Sequence, residues 1–173
     1  MPELVKTMIR DVQDFPIPGI VFKDITTAIK DAETFRRIIS YLSEIYKDAG
    51  IDYVAAIESR GFIFGAPLAS NIGAGLVIIR KPGKLPAKTE KVEYELEYGT
   101  DIVEIHSDAI EPGKKVLLID DVLATGGTAA AAFELVKKVG GIPVGISFVI
   151  ELAFLGGRKK FPEDITINSM IKY

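Results

Sequence analysis

The sequence predicts an α/β fold, a mostly parallel twisted sheet with helices on both faces, and three observations carry that expectation. Short apolar runs at 53–57, 76–79, 116–119 and 144–150 lack the alternation of a half-wetted strand and read as strands buried on both faces. Stretches with helical spacing at 31–49, 62–71 and 128–139 fall between them. The length, 173 residues, is that of a single domain.

Each element has its own warrant. Between Asp31 and Ala49, the residues Phe35, Ile38, Ile39, Leu42, Ile45 and Tyr46 recur on one helical face. Asp31 is a helix cap and Gly50 a stop. Tyr53–Ile57 is bounded by turn-forming residues and reads as a strand, Phe62–Asn71 as a helix, and Leu76–Ile79 as a second strand. A third strand, Val116–Ile119, ends in Asp120-Asp121 and a glycine turn. The Ala-rich helix Thr128–Val139 shows Phe133, Val136 and Val139 on a stripe and closes at Gly140-Gly141. Val144–Ile150 is the fourth strand.

Two segments depart from the alternation. Residues 1–30 include Phe15-Pro-Ile-Pro-Gly-Ile-Val-Phe22, too rich in proline for a core helix. Residues 81–106 begin Lys81-Pro-Gly-Lys-Leu-Pro86 and continue in alternating stretches around Tyr94–Tyr98 and Ile102–His106. These suggest two antiparallel strands with a turn at Gly99-Thr100. An excursion this long inside an α/β domain is typical of a functional lid.

Composition narrows the function. The chain is 48% hydrophobic and 26% charged, enough apolar material for a core. Its net charge of -3 offers no overall basic face for nucleic acid. With no cysteine, disulfides, zinc–sulfur sites and thiol nucleophiles are excluded together. The single histidine, His106, leaves no His-rich metal site and is expected simply to occupy a strand. Residues 1–15 carry charges throughout, and no run of about 18 apolar residues occurs. The expectation is a cytoplasmic protein with no membrane and no nucleic-acid partner.

The chemistry concentrates at 116–128. A buried strand delivers Asp120 and Asp121 to its C-terminal end, where open α/β sheets bind ligands. Gly126 and Gly127 let backbone approach an anion, Thr125 and Thr128 offer hydroxyls, and a helix N-terminus follows. The carboxylates would repel phosphate but accept from vicinal hydroxyls, so the string reads as a cradle for a ribose 5-phosphate. Taken singly, each glycine reads better as part of a tight strand-to-helix turn; the whole string together favours the cradle. A P-loop is absent, and Gly73-Ala-Gly75 precedes a strand instead of following one, so a dinucleotide fingerprint fails. Glu97 follows Glu93 and Glu95 in an every-second-residue acidic pattern, which alone describes a solvated strand face.

Asp120-Asp-Val-Leu-Ala-Thr-Gly-Gly-Thr128 resembles the phosphoribosyl pyrophosphate (PRPP) signature of type I phosphoribosyltransferases. Asp14-Phe-Pro-Ile-Pro-Gly-Ile-Val-Phe-Lys-Asp-Ile-Thr26 is similar to the N-terminal hood motif of the adenine phosphoribosyltransferase family. Glu58-Ser-Arg-Gly-Phe-Ile-Phe-Gly65 resembles that family's pyrophosphate loop. Ile79-Arg-Lys-Pro-Gly-Lys-Leu-Pro86 and Leu96-Glu-Tyr-Gly99 resemble the two ends of its mobile catalytic loop. The resemblance covers about Asp14 to Glu151 and implies one phosphoribosyltransferase domain over 1–173, with a hood at 1–30 and a flexible catalytic loop at 81–106.

The implied reaction is adenine + PRPP → AMP + pyrophosphate, with Mg²⁺ carried by PRPP and no side chain assigned as a direct metal ligand. The resemblance implies that Ala124, Thr125, Gly126, Gly127 and Thr128 bind the 5′-phosphate, and that Asp120 and Asp121 bind the ribose. It gives Ser59, Arg60, Arg80, Lys81 and Lys84 to the pyrophosphate, with a cis Glu58–Ser59 peptide. Val21 and Phe22 are implied at adenine, Glu97 as the acid/base group at its N7, and Arg60 beside both pyrophosphate and base. A homodimer is also implied. Lys23 departs from the pattern, standing where many relatives carry Arg, and lysine lacks the bidentate fork. A preference for a 6-oxopurine, or a non-catalytic PRPP sensor, are the alternatives that the same cradle allows.

Overall fold

In the computed structural model, which describes residues 2–95 and 99–173, the chain divides into two units, Met1–Glu44 and Ile45–Tyr173. The first begins with helix α1 (Pro2–Thr7), followed by strand β1 (Arg10–Gln13) and strand β2 (Val21–Asp24). The two strands pair antiparallel from Arg10↔Asp24 to Gln13↔Val21. Opposite charges face each other across this pair: Arg10 with Asp24, and Lys23 Nζ with Asp11 at 2.7 Å. The proline-rich stretch forms the connection between them, with a cis Phe15–Pro16 bond. Helix α2 (Thr26–Lys30) follows, its first turn fixed by Asp24 Oδ1, which accepts from Thr26 N at 2.9 Å.

Helix α3 (Ala32–Tyr46) is capped as the sequence suggests, Thr34 N donating to Asp31 Oδ1 at 2.8 Å. It stops three residues before Ala49, because Ala49 N bonds Tyr46 O in a tighter turn and Gly50 takes a φ of 62°. Ile38, Ile39, Leu42 and Tyr46 are buried, whereas Ile45 is 42% exposed. Ile45 sits at the edge of the apolar stripe, next to the last residue of the helix, and does not join the core as expected.

The second unit follows the predicted alternation: strand β3 (Tyr53–Ile57), helix α4 (Arg60–Ile72) and strand β4 (Gly75–Ile79). The excursion supplies strand β5 (Thr89–Glu95) and strand β6 (Thr100–His106), an antiparallel ribbon. Thr100 pairs with Glu95 and so belongs to β6, not to a Gly99-Thr100 turn. His106 closes β6, its Nε2 accepting from Ala87 N at 3.3 Å. Strand β7 (Lys115–Leu123), helix α5 (Gly127–Lys138), strand β8 (Ile142–Glu151) and strand β9 (Thr166–Lys172) complete the unit.

Five strands form an all-parallel sheet in the order β4-β3-β7-β8-β9. Alternate residues of β7 serve opposite faces. Val116 and Leu118 share a buried cluster with Leu135 and Val136 of α5 and with Val103 and Ile105 of the ribbon. Ile119 points the other way, toward α4. Gly65 lets α4 lie close there, since a Cβ at that position would stand 2.6 Å from Ala56 Cβ and 3.1 Å from Ile119 Cγ2. No helix among the described residues is long and apolar enough to cross a membrane.

Candidate functional site

The C-terminal ends of β3, β4, β7 and β8 open on one edge of the sheet, and most predicted site residues of the second unit follow directly from those ends. At the end of β7, Asp120 and Asp121 sit within the strand, which runs on to Leu123. Asp121 is 4% exposed and paired with the Arg60 guanidinium from the start of α4. Asp120 Oδ1 accepts from Asp121 N at 2.8 Å. Burial, with the neighbouring Asp121 carboxylate, pushes the Asp120 carboxyl well above its ordinary pKa. Gly61 allows this approach of α4 to β7, because a Cβ there would lie 2.9 Å from Ile119 O and 3.1 Å from Asp120 Oδ1.

From Leu123 the chain turns through Ala124 and Thr125 into Gly126, whose φ of 82° is left-handed. That glycine is the N-cap of α5, so the first free N–H groups of the helix follow it. A Cβ on Gly126 would stand 2.6 Å from Gly157 O, so backbone packs on backbone behind the turn. At the front, Thr128 Oγ1 and the Tyr94 hydroxyl of β5 lie 3.0 Å apart.

Three of the predicted cations, Arg60, Arg80 and Lys81, are engaged by carboxylates. The Glu58–Ser59 peptide is cis, as the resemblance implies. Glu58 Oε2 accepts from Arg80 Nε at 3.0 Å and from Lys81 N at 2.9 Å. Burial works to raise the Glu58 pKa, but these donors outweigh it and hold the carboxyl below its usual range. Arg80 also lies over the Phe62 ring at 5.9 Å and reaches Lys84 O at 3.4 Å. Lys81 Nζ pairs with Asp101 of β6 and reaches the Tyr94 hydroxyl at 2.9 Å. Burial opposes its charge, yet Asp101 and Tyr94 raise the lysine pKa overall.

Thus one edge brings together Ser59, Arg60, Arg80, Lys81, Lys84, Asp120, Asp121 and the Ala124–Thr128 turn. Val21 and Phe22 lie on β2 of the first unit. Val21 is 39% exposed, and Phe22 meets the Phe15 ring edge-on at 5.2 Å. Glu97 lies outside the described residues, as does Tyr98.

Sequence reasoning passed over several participants. Tyr94 and Asp101, which tie the ribbon to Lys81 and Thr128, carry no motif of their own. Glu58 has a signal, since it stands within the quoted pyrophosphate-loop segment. Gly157 has one too: the Gly156-Gly157 pair falls where the reading assigned no element. Among the described residues, no group of three or more His, Cys, Asp or Glu side chains could hold a metal ion.

Comparison with known proteins places the chain in a family. The family model of the phosphoribosyl transferase domain matches residues 26–170. An adenine phosphoribosyltransferase of Thermosynechococcus vestitus is 55% identical over 169 residues, 98% of this chain and 99% of the relative. The crystal structure of an adenine phosphoribosyltransferase from Thermoanaerobacter pseudethanolicus superposes with a TM-score of 0.96 at 52% identity, over 100% of both chains. The Saccharomyces cerevisiae adenine phosphoribosyltransferase, complexed with an imino-altritol bisphosphate and adenine, gives a TM-score of 0.91 at 39% identity. It matches over 98% of this chain and 97% of its own.

Proposed function

The chain belongs to the adenine phosphoribosyltransferases of the phosphoribosyl transferase family, and from that premise we propose how its own residues make AMP and pyrophosphate from adenine and PRPP. The observation that carries the proposal is the path from Asp120-Asp121 through left-handed Gly126 into the N-terminus of α5, at the ligand edge of a parallel sheet. Ala124, Thr125, Gly126, Gly127 and Thr128 take the 5′-phosphate with backbone N–H groups, two hydroxyls and the helix dipole. Asp120 and Asp121 accept from the ribose hydroxyls, which requires Arg60 to share or release Asp121.

The pyrophosphate leaves as the C1–O bond breaks, taking the bonding pair and leaving positive charge on the sugar. Preorganised cations are the expected catalysts of that charge separation. Arg80, Lys81 and Lys84, with the Ser59-Arg60 segment, supply them. Since Glu58 holds Arg80 and Asp101 holds Lys81, the diphosphate exchanges for these carboxylates as it binds. Mg²⁺ carried by PRPP would supply Lewis-acid stabilisation of the leaving diphosphate, with no side chain of this chain assigned as its direct ligand.

Adenine N9 then bonds C1 while its imidazole proton passes to Glu97 at N7. For the base, Val21 and Phe22 offer main-chain groups and an aromatic face. Among the described residues β2 pairs with β1 alone in a two-stranded sheet, so one backbone edge of Val21–Asp24 lies outside that ladder. The proposal includes a homodimer in which the cationic loop serves across the interface, to be checked by sedimentation equilibrium.

The test is pyrophosphate release from PRPP and Mg²⁺ with adenine, hypoxanthine, guanine or xanthine. Release with adenine and little with the 6-oxopurines is expected. A preference for a 6-oxopurine would replace the assigned base, and no release with any base would leave only a PRPP binder.

A further inference from the structure

Behind the turn that takes the 5′-phosphate, the wall is backbone. A Cβ on Gly157 would overlap Ala124 O and stand 2.9 Å from Leu123 Cδ1 and 3.2 Å from Gly126 N. A Cβ on Gly126 would stand 3.2 Å from Gly157 Cα. With no side chain on either glycine to absorb a displacement, a shift of the 157 peptide moves Ala124 and Gly126 with it.

Gly157 opens a short 3₁₀ turn, Gly157–Lys160, in a segment where regular hydrogen bonding is sparse. Its neighbour Arg158 is fastened on three sides. Nε donates to Glu151 Oε1 at 2.6 Å and Nη2 to Glu151 Oε2 at 2.7 Å, a bidentate pair on the last residue of β8. Nη1 donates to Ile167 O at 2.9 Å, and Nη2 meets Ser169 Oγ at 3.2 Å, both on β9. The Glu151 side chain is 5% exposed. Glu151 stands in register with Leu123, and Leu152 N bonds Leu123 O at 2.9 Å. The path therefore closes on itself, from β7 through the phosphate turn to Gly157, then through Arg158 to β8 and β9.

We propose that Glu151 and Arg158 are positioning residues for the 5′-phosphate, acting through Gly157 to hold the 124–128 turn in its ligand-ready form. The inference rests on the assignment of that turn to the 5′-phosphate. It separates this pair from a general stabilising role, because its effect falls on one group of one substrate.

Three variants test it: Arg158→Met, which removes the fastening; Arg158→Lys, which keeps a charge opposite Glu151 but not the fork; and Gly157→Ala, which pushes on the turn directly. Steady-state kinetics are run where circular dichroism shows each variant folded. Arg158→Met and Gly157→Ala are expected to raise KM for PRPP, and the inhibition constant of ribose 5-phosphate, about tenfold, the weight of roughly one misplaced hydrogen bond to a charged group. KM for adenine, inhibition by pyrophosphate and kcat stay within about twofold, below one such bond, and Arg158→Lys falls between. Proportional losses in all these constants, or none, overturn the positioning role. Thr128→Ala run alongside separates the two claims. If it leaves ribose 5-phosphate inhibition unchanged, the phosphate assignment fails. If it weakens inhibition while Arg158→Met does not, only the positioning inference fails. Should Arg158→Met not fold, the milder Arg158→Lys carries the same comparison.

Discussion

Glu97 carries the sharpest single-residue expectation. If it takes the proton from adenine N7, Glu97→Gln keeps the side chain's shape and loses the base, so kcat should fall on the order of 10²–10⁴-fold while KM for PRPP changes little. Glu33→Gln is the matched control, because Glu33 sits on α3 paired with Arg36 and Arg37 at the surface. An equal loss in that variant would remove the assignment. Gly126 and Gly127 make a second comparison between neighbours. At Gly126 the φ of 82° and the Gly157 oxygen 2.6 Å from a prospective Cβ both oppose a side chain. At Gly127 the nearest atom, Tyr94 Cδ2, is 3.4 Å away, an ordinary contact. Gly126→Ala is therefore expected to raise KM for PRPP by more than about tenfold, a cost of roughly 1–2 kcal/mol in backbone alone, and Gly127→Ala by much less. Equal effects would mean that the left-handed turn is not what shapes the phosphate site.

Among the elements, the β1–β2 hairpin and α2 depend on Asp24. It pairs with Arg10 across the strands and accepts from Thr26 N and Oγ1 at the start of the helix. Those hydrogen bonds, from Thr26 first and Arg10 next, lower its pKa to about 2 from 3.8. A depressed carboxyl pKa gives stability that is present in full above the unfolded value and lost as pH falls through the folded one. Asp24→Ala should thus destabilise the protein by about 1–2 kcal/mol near neutral pH. The difference should close as pH approaches about 2, readable as denaturation midpoints against pH. What the sequence reveals about elements follows from periodicity. β3 and β4 emerge nearly whole because each is a short apolar run between turn residues, and α3 because its stripe is regular. β9 is missed because Thr166-Ile-Asn-Ser-Met-Ile-Lys172 mixes polar and apolar residues as an edge strand does. The site divides in the same way. The Ala124–Thr128 turn is legible because local spacing dictates it. The Glu58, Tyr94 and Asp101 contacts are not, since each joins segments brought together only by the fold.

For the whole molecule, the ligand edge is where stability and function oppose each other. Most of the shifted carboxyls are stabilised in their charged form, at that edge and away from it: Asp101 by Lys81 and Glu151 by Arg158. Among the described residues Asp120 is the exception, raised by burial and by the Asp121 carboxylate beside it. For a raised carboxyl the sign reverses. As pH climbs past 3.8 the unfolded chain gives up this proton first, so the group costs stability from there upward, and the full cost stands once pH exceeds the folded value. Asp120→Asn removes the titratable group and retains an amide oxygen to accept from Asp121 N. The variant should melt higher than the parent at neutral pH, by about 2–4 °C for each kcal/mol regained in a chain of this size. The advantage should shrink toward acid pH, where the parent aspartate is protonated in both states. The same variant should bind PRPP more weakly, because a neutral amide is a poorer acceptor for the ribose hydroxyls than a carboxylate. Melting curves across pH, set beside PRPP affinity, read both effects. A lower melting temperature at neutral pH would mean that the acid pair is compensated in the folded protein, and that the ribose subsite is not maintained at the expense of stability.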